Sequence, residues 1–210
     1  MAHHHPCTDR TTAIGGMIDA YLRSQSELDD RAIHLLFSAN RWELAYVLSS
    51  LSLLALLGST VTDCLPLTNK RTSIYAHLAA GTTVIADRYA FSGIAFSARK
   101  GLSYEWCRAP DVGLPAPDLT VFLDVEPEVA RARGGYGEER YEQEGIQRGV
   151  RAMFERIGEE MNRDGQGKWV VIDASKEKDW VARDIWHVVE SLAEGVDAPT
   201  AKLWQTRLST

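Results

Sequence analysis

Cysteine is scarce: the 210 residues hold three, Cys7, Cys64 and Cys107, widely spaced and odd in number. That excludes a disulfide framework and points to reduced thiols in an intracellular protein. An excess of positive charge is absent too. Lys and Arg total 23 against 29 Asp and Glu, a net charge of -6. A general nucleic-acid binder would show a basic face, so that class is excluded, although local arginines remain free to take a small phosphorylated ligand. No long apolar run is present. The best stretch, Leu44 to Leu57, is broken by Ser49, Ser50 and Ser52 and is too short to cross a bilayer. Met1-Ala2-His3-His4-His5 has no apolar leader, so no signal peptide is expected, and the three histidines read as a polar start. Nor does any G-x-x-x-x-G-K-[ST] string occur. Gly165-Gln166-Gly167-Lys168 comes nearest, but it lacks the first glycine and is followed by Trp169.

What is present fits one α/β domain spanning 1–210. Hydrophobic residues make up 45% and charged residues 25%, ordinary for a globular protein. Ile14, Met17, Ile18, Tyr21 and Leu22 form one helical stripe over 12–23. A second helix is predicted from about Leu28 to Leu44, with Ile33, Leu36, Phe37 and Asn40 on its stripe. Residues 82–86 and Leu119–Val125 are short β-branched runs that read as buried parallel strands. Pro127 marks a helix start. Residues 131–141 read as a mobile loop, 142–162 as a long helix, 168–173 as a third strand and 179–193 as a closing helix. Strands alternating with helices predict a parallel sheet flanked by helices. Met1 to Thr8 does not read as a strand.

Two strings carry chemistry. His34-Leu-Leu-Phe37-Ser-Ala-Asn-Arg41-Trp-Glu43 sets Phe37 and Arg41 four apart, on one helix face. A flat ring stacks on a nucleobase, and a guanidinium one turn on hydrogen-bonds a base carbonyl. Taken singly, such a Phe is more often core and such an Arg more often solvated. Asp87-Arg88-Tyr-Ala-Phe-Ser92-Gly93 follows directly on an apolar strand, at the edge where open α/β sheets bind ligands. An aspartate there can orient Mg²⁺-bound water, and the neighbouring arginine can take a phosphate through two parallel hydrogen bonds. A salt bridge is the plainer alternative. His34, His77 and His187 lack metal-ligand spacing and read as structural or surface residues.

Together these strings resemble the substrate site of the thymidylate kinase family. The resemblance extends over nearly all of the chain except residues 1–8 and a segment at about 45–74. It implies a P-loop nucleoside-monophosphate-kinase-like fold and the reaction of ATP with dTMP to give ADP and dTDP, assisted by Mg²⁺. It implies that Phe37 stacks on thymine, that Arg41 contacts the base edge, and that Arg10, in Asp9-Arg10-Thr-Thr-Ala-Ile-Gly15, and Arg88 reach the monophosphate. Ser92 and Gly93 then approach the nucleotide closely. The resemblance also makes Asp87 and Arg88 catalytic, with Asp87 touching the metal through water. Residues 131–142 become a lid, with Arg133 catalytic on the transferring phosphate and Arg140 and Tyr141 closing on the thymidine site. Ser175 and Lys176 lie beside the ATP adenine. A homodimer in the cytoplasm, with the nucleus as a second compartment, no nucleic acid and no membrane complete the expectation.

Two departures from the family pattern stand out. The first is the phosphate loop, with the strand before it and the helix after it, which in this family is a unit on the order of 30 residues. The second is residues 46–71, with neither helical period nor strand alternation. Ala45-Tyr46-Val47 can be encoded across GTACGT and Thr68-Asn69 by ACTAAC, as in a translated intron; Tyr75–Gly81 then resumes the family's helix. A surface insertion is the alternative. Three readings stay open: a kinase from a misread gene, a catalytically dead dTMP-binding protein, and an interaction protein that keeps only the helical surface.

Overall fold

β-branched runs form three of the strands. A computed structural model of the chain describes residues 2–6, 9–46, 74–133 and 144–205. Its strands are β1 (Ala2–Pro6), β2 (Thr83–Asp87), β3 (Leu119–Asp124) and β4 (Lys168–Asp173). β1 runs parallel to β2, from Ala2 opposite Thr83 to Pro6 opposite Asp87. β3 runs parallel to β4, from Leu119 opposite Lys168 to Asp124 opposite Asp173. Parallel neighbours need long crossovers. α1 (Ala13–Leu22), α2 (Asp30–Tyr46) and α3 (Ile74–Ala79) lie between β1 and β2, and α6 (Pro127–Ala132) and α7 (Glu144–Asp164) between β3 and β4. α4 (Ala90–Arg99), α5 (Tyr104–Arg108) and a 3₁₀ turn (Ala109–Asp111) link β2 to β3, and α8 (Lys178–Val189) follows β4.

Two sequence expectations need correction. Residues 2–6 do form a strand, although nothing in Ala-His-His-His-Pro alternates. At the edge of a pair, backbone pairing to a single neighbour suffices, and no apolar face is required. β2, expected buried, is mostly exposed: Ile85 keeps 51% of its surface. Among the described residues β2 pairs with β1 alone and β3 with β4 alone, so each pair keeps an open side. Leu123 and Val171 are exposed for the same reason. The 46–71 segment falls outside the described residues apart from Tyr46, whose backbone closes α2.

α4 is the axis of the larger core. Its Ala90, Phe91, Ile94 and Ala95 pack with Val150, Ile157 and Met161 of α7, and with Trp169 of β4. Gly158 lets α7 lie against that indole; a Cβ there would come within 2.6 Å of Trp169 Nε1. A smaller cluster joins Ile18, Tyr21 and Leu22 of α1 to Ile33 of α2. The tail returns across the 113–116 segment. Gly113 N donates to Leu203 O at 2.9 Å, Leu203 N to Leu114 O at 2.9 Å and Ala116 N to Ala201 O at 2.8 Å, and Leu203 is fully buried.

Candidate active site

The site starts on α2, whose apolar stripe docks on α1 and so fixes which residues face the rest of the fold. Phe37 is half-buried against the α1–α2 cluster. Asn40, fully buried, ties the Asp9–Thr12 turn to this helix: its Oδ1 accepts from Asp9 N at 2.9 Å and its Nδ2 donates to Thr12 Oγ1 at 3.1 Å. The turn carries Arg10, exposed and bonded to Asp19 Oδ1 at 2.8 Å. Thr12 then caps α1, accepting from Gly15 N at 2.9 Å. So the Arg10 segment is brought beside the helix that bears Phe37 and Arg41.

Arg41 is not a solvated arginine. It is 3% exposed, and its Nε and Nη2 donate to Asp111 Oδ1 and Oδ2 at 3.1 and 2.6 Å. Asp111 has no exposed surface and also accepts from Ser38 Oγ at 2.7 Å. Trp42 Nε1 donates to Pro110 O at 2.7 Å, pinning the same turn. Beside this pair, buried His34 bonds Ser97 Oγ through Nδ1 and the Cys107 carbonyl through Nε2, each at 2.8 Å. A carbonyl only accepts, so Nε2 carries the proton and Nδ1 accepts from Ser97. Burial, opposed by the Cys107 hydrogen bond, lowers the His34 pKa and keeps the ring neutral. Sequence reasoning missed Asp111 and Ser38. An Asp after Pro in a turn carries no signal of a buried partner 70 residues away.

Arg41 reaches α4 as well. A Cβ on Gly93 would stand 3.1 Å from its Nη2 and 3.3 Å from Nη1, so the glycine admits the guanidinium. This contact joins the α2 string to the β2 string. Asp87 ends β2 and is exposed, as is Arg88. Arg88 adopts φ +64°, a left-handed conformation that costs a non-glycine residue about 1–3 kcal/mol and recurs where function needs it. Tyr89 then enters α4, which carries Ser92 and Gly93 in its first turn.

A second group forms past the carboxyl end of β4. Arg133 Nη2 donates to the carbonyls of Ala174 and Lys176, at 2.6 and 3.0 Å. Arg133 is thereby set against the 174–176 turn that carries Ser175 and Lys176. The Ser175 backbone N–H, with its hydroxyl second, holds the Asp173 carboxyl below the usual range. Asp184 accepts from Lys176 Nζ at 2.7 Å and raises its pKa. At the end of β3, Arg151 of α7 forks onto Asp124 and Glu126 at 2.7 and 2.8 Å. Arg140 and Tyr141 lie outside the described residues, as does most of the expected lid. Among the described residues no group of three or more His, Cys, Asp or Glu could hold a metal ion, and no helix is long and apolar enough to cross a membrane.

Parallel strands flanked by helices, with Arg41 of α2 set against Gly93 of the helix that follows the Asp87-Arg88 strand end, fit the nucleoside-monophosphate-kinase-like class. A solved thymidylate kinase structure from Candida albicans matches it with a TM-score of 0.73 at 29% identity, covering 96% of this chain and 85% of that one. The thymidylate kinase family model matches residues 67–185, more than half of the sequence. The thymidylate kinase of Schizosaccharomyces pombe is 44% identical over 184 residues, 88% of this chain and 75% of that protein. That of Danio rerio is 43% identical over 201 residues, 94% of this chain and 80% of the relative. The chain belongs to the thymidylate kinase family.

Proposed function

We propose that this protein serves the family's reaction, the ATP-dependent phosphorylation of dTMP to dTDP, and that residues 1–210 carry its acceptor half. The observation that carries this reading is the contact of the Arg41 guanidinium with Gly93. It couples a base-facing pair, Phe37 and Arg41, to the strand end bearing Asp87 and Arg88. In this reading Phe37 stacks on the thymine and Arg41 donates to its carbonyl edge. Arg88 and Arg10 take the monophosphate, and Ser92 and Gly93 line its approach. An oxygen of that phosphate attacks the γ-phosphorus of ATP, and ADP leaves. Arg133 neutralises charge on the moving group from the β4 side, with Ser175 and Lys176 beside the adenine, and Arg140 and Tyr141 belong to the closing lid. Such transfer depends mostly on positioning and charge neutralisation.

The exposed carboxylate of Asp87 fits Mg²⁺, which keeps several of its waters. Asp87 would hold it through water, and the ion would supply positive charge beside the phosphate oxygens. Met17 and Leu35 are half exposed on α1 and α2 and offer apolar surface to the homodimer of this proposal. A cytoplasmic setting, without nucleic-acid or membrane partners, fits the acidic charge.

Residues 1–210 contain no phosphate-loop string, which favours a second reading for this polypeptide alone: dTMP binding without turnover. Calorimetry tests the acceptor site. dTMP should bind in preference to purine monophosphates, and Phe37→Ala should weaken it by about 1–3 kcal/mol, the scale of base stacking. Arg88→Ala should weaken dTMP far more than thymidine; equal losses would contradict the phosphate assignment. A coupled assay tests transfer with four polypeptides, with or without 46–71 and with or without a strand, phosphate loop and helix placed before Asp9. Only the shortened, loop-bearing form is expected to be both stable and active. Turnover by 1–210 itself, near ~1 s⁻¹, would refute the inactivity of this polypeptide. Equal activity of the unshortened, loop-bearing form would make 46–71 a tolerated insertion.

A further inference from the structure

We propose that Asp111 is a positioning residue that makes Arg41 a reader of an uncharged base edge rather than a trap for phosphate. The inference rests on the dTMP reading above. A nucleoside monophosphate presents two hydrogen-bonding ends, one neutral and one dianionic. Every arginine in its site attracts the dianion, so a bare guanidinium at the base end would invite the ligand to bind reversed. Asp111 removes that invitation. Its carboxylate takes Nε and Nη2 side-on, with arginine and aspartate 3% and 0% exposed. The pair is formally neutral. Nη1 is left as the guanidinium nitrogen not engaged with the carboxylate, and a Cβ on Gly93 would stand 3.3 Å from it and 3.1 Å from Nη2.

The carboxylate is itself held. Ser38 donates to its Oδ1 at 2.7 Å, and Trp42 fixes the preceding Pro110 carbonyl at 2.7 Å. Neutral His34, its Nε2–H spent on the Cys107 carbonyl, brings no second cation to compete for Asp111. Arg41 has only donors. Fixed and charge-compensated, it selects a pyrimidine that offers a carbonyl acceptor, and it leaves the phosphate to the exposed Arg88 and Arg10.

The test is calorimetric titration of wild type and Asp111→Asn with dTMP, dCMP, thymidine and inorganic phosphate, beside thermal unfolding. The carboxamide keeps the shape but loses the charge. The expected result is a cooperative variant in which thymidine binds about tenfold more weakly and the dTMP-over-dCMP preference shrinks about tenfold, each about 1.4 kcal/mol. Inorganic phosphate should bind several-fold more tightly, a gain that a purely structural role cannot produce. Retained selectivity, or equal weakening of all four ligands, overturns the proposal. If Asp111→Asn does not unfold cooperatively, Ser38→Ala decides. It keeps both charges but frees the carboxylate, and should cut the dTMP-over-dCMP preference about threefold; no change there overturns the proposal equally. Failure of the wild type to bind dTMP overturns the underlying reading and this inference with it, and it shows before any substitution is made.

Discussion

Gly93→Ala places stability and recognition in opposition. The new methyl would lie 3.1 Å from Arg41 Nη2, 3.3 Å from Nη1 and 3.5 Å from Cζ, so the guanidinium must give by a few tenths of an ångström. It cannot swing freely, because Nε and Nη2 are held by Asp111. Hydrogen bonds to charged groups contribute about 1.5–3 kcal/mol each, and stretching both forfeits a fraction, on the order of 1 kcal/mol. Alanine inside α4 returns a similar amount, about 0.8–1 kcal/mol over glycine. Net stability is therefore expected within about 1 kcal/mol of wild type, a Tm change of roughly 2–4 °C or less. dTMP affinity should nevertheless fall about tenfold, since the donor facing the base is displaced. Scanning calorimetry and ligand titration on the same sample check both quantities. Wild-type affinity for dTMP would show that Arg41 does not read the base. A stability loss above about 3 kcal/mol would show a guanidinium too rigid to yield, and the reasoning would fail on that side.

Gly158→Ala is expected to go the other way. Its Cβ meets Trp169 Nε1 at 2.6 Å and Cδ1 at 2.7 Å, and the indole is wedged in the aromatic core. Overpacking of about 1–3 kcal/mol should exceed the helix-propensity gain, so Tm falls; a rise would refute the contact. His34 gives a pH signature. Burial lowers its folded pKa beneath the ordinary 6.5, so the unfolded chain binds the extra proton first. This component of stability is whole above pH 6.5 and is lost as pH falls below it, at up to about 1.4 kcal/mol per unit. His34→Gln should flatten that part of the Tm-versus-pH curve, and an unchanged slope would reject it.

Local signals in the sequence told the truth where local physics decides. Val170, Val171 and Ile172 specified β4, Pro127 opened α6, and the Ile14–Leu22 stripe gave α1. β1 was not legible, because an edge strand is selected by pairing and its side chains carry no pattern. α4 was legible only as a motif. Ser92, Gly93 and Ser97 blur its stripe, and its helical form comes from packing on α7. The site divides similarly. Phe37, Arg41, Asp87 and Arg88 stand out by their strings, and the structure brings the two strings together at Gly93. Asp111, Ser38 and Asn40 act across long sequence separations, where only the tertiary approach of two segments creates the chemistry.

The strap formed by Ala201–Leu203 sets an order on biosynthesis. Asp111 sits just ahead of a stretch whose backbone partners are Ala201 and Leu203. A ribosome releases α2 and α4 early, so Arg41 and Gly93 can meet while the chain is still growing. The turn bearing the arginine's counter-ion is already held by Ser38 and Trp42 of α2, but the 113–116 stretch behind it gains its partners in the strap only after the strap has emerged. A nascent chain can therefore close the Arg41–Asp111 pair before the strap emerges, and a ribosome stalled before Ala201 would display that pair with the 113–116 backbone not yet joined to the strap.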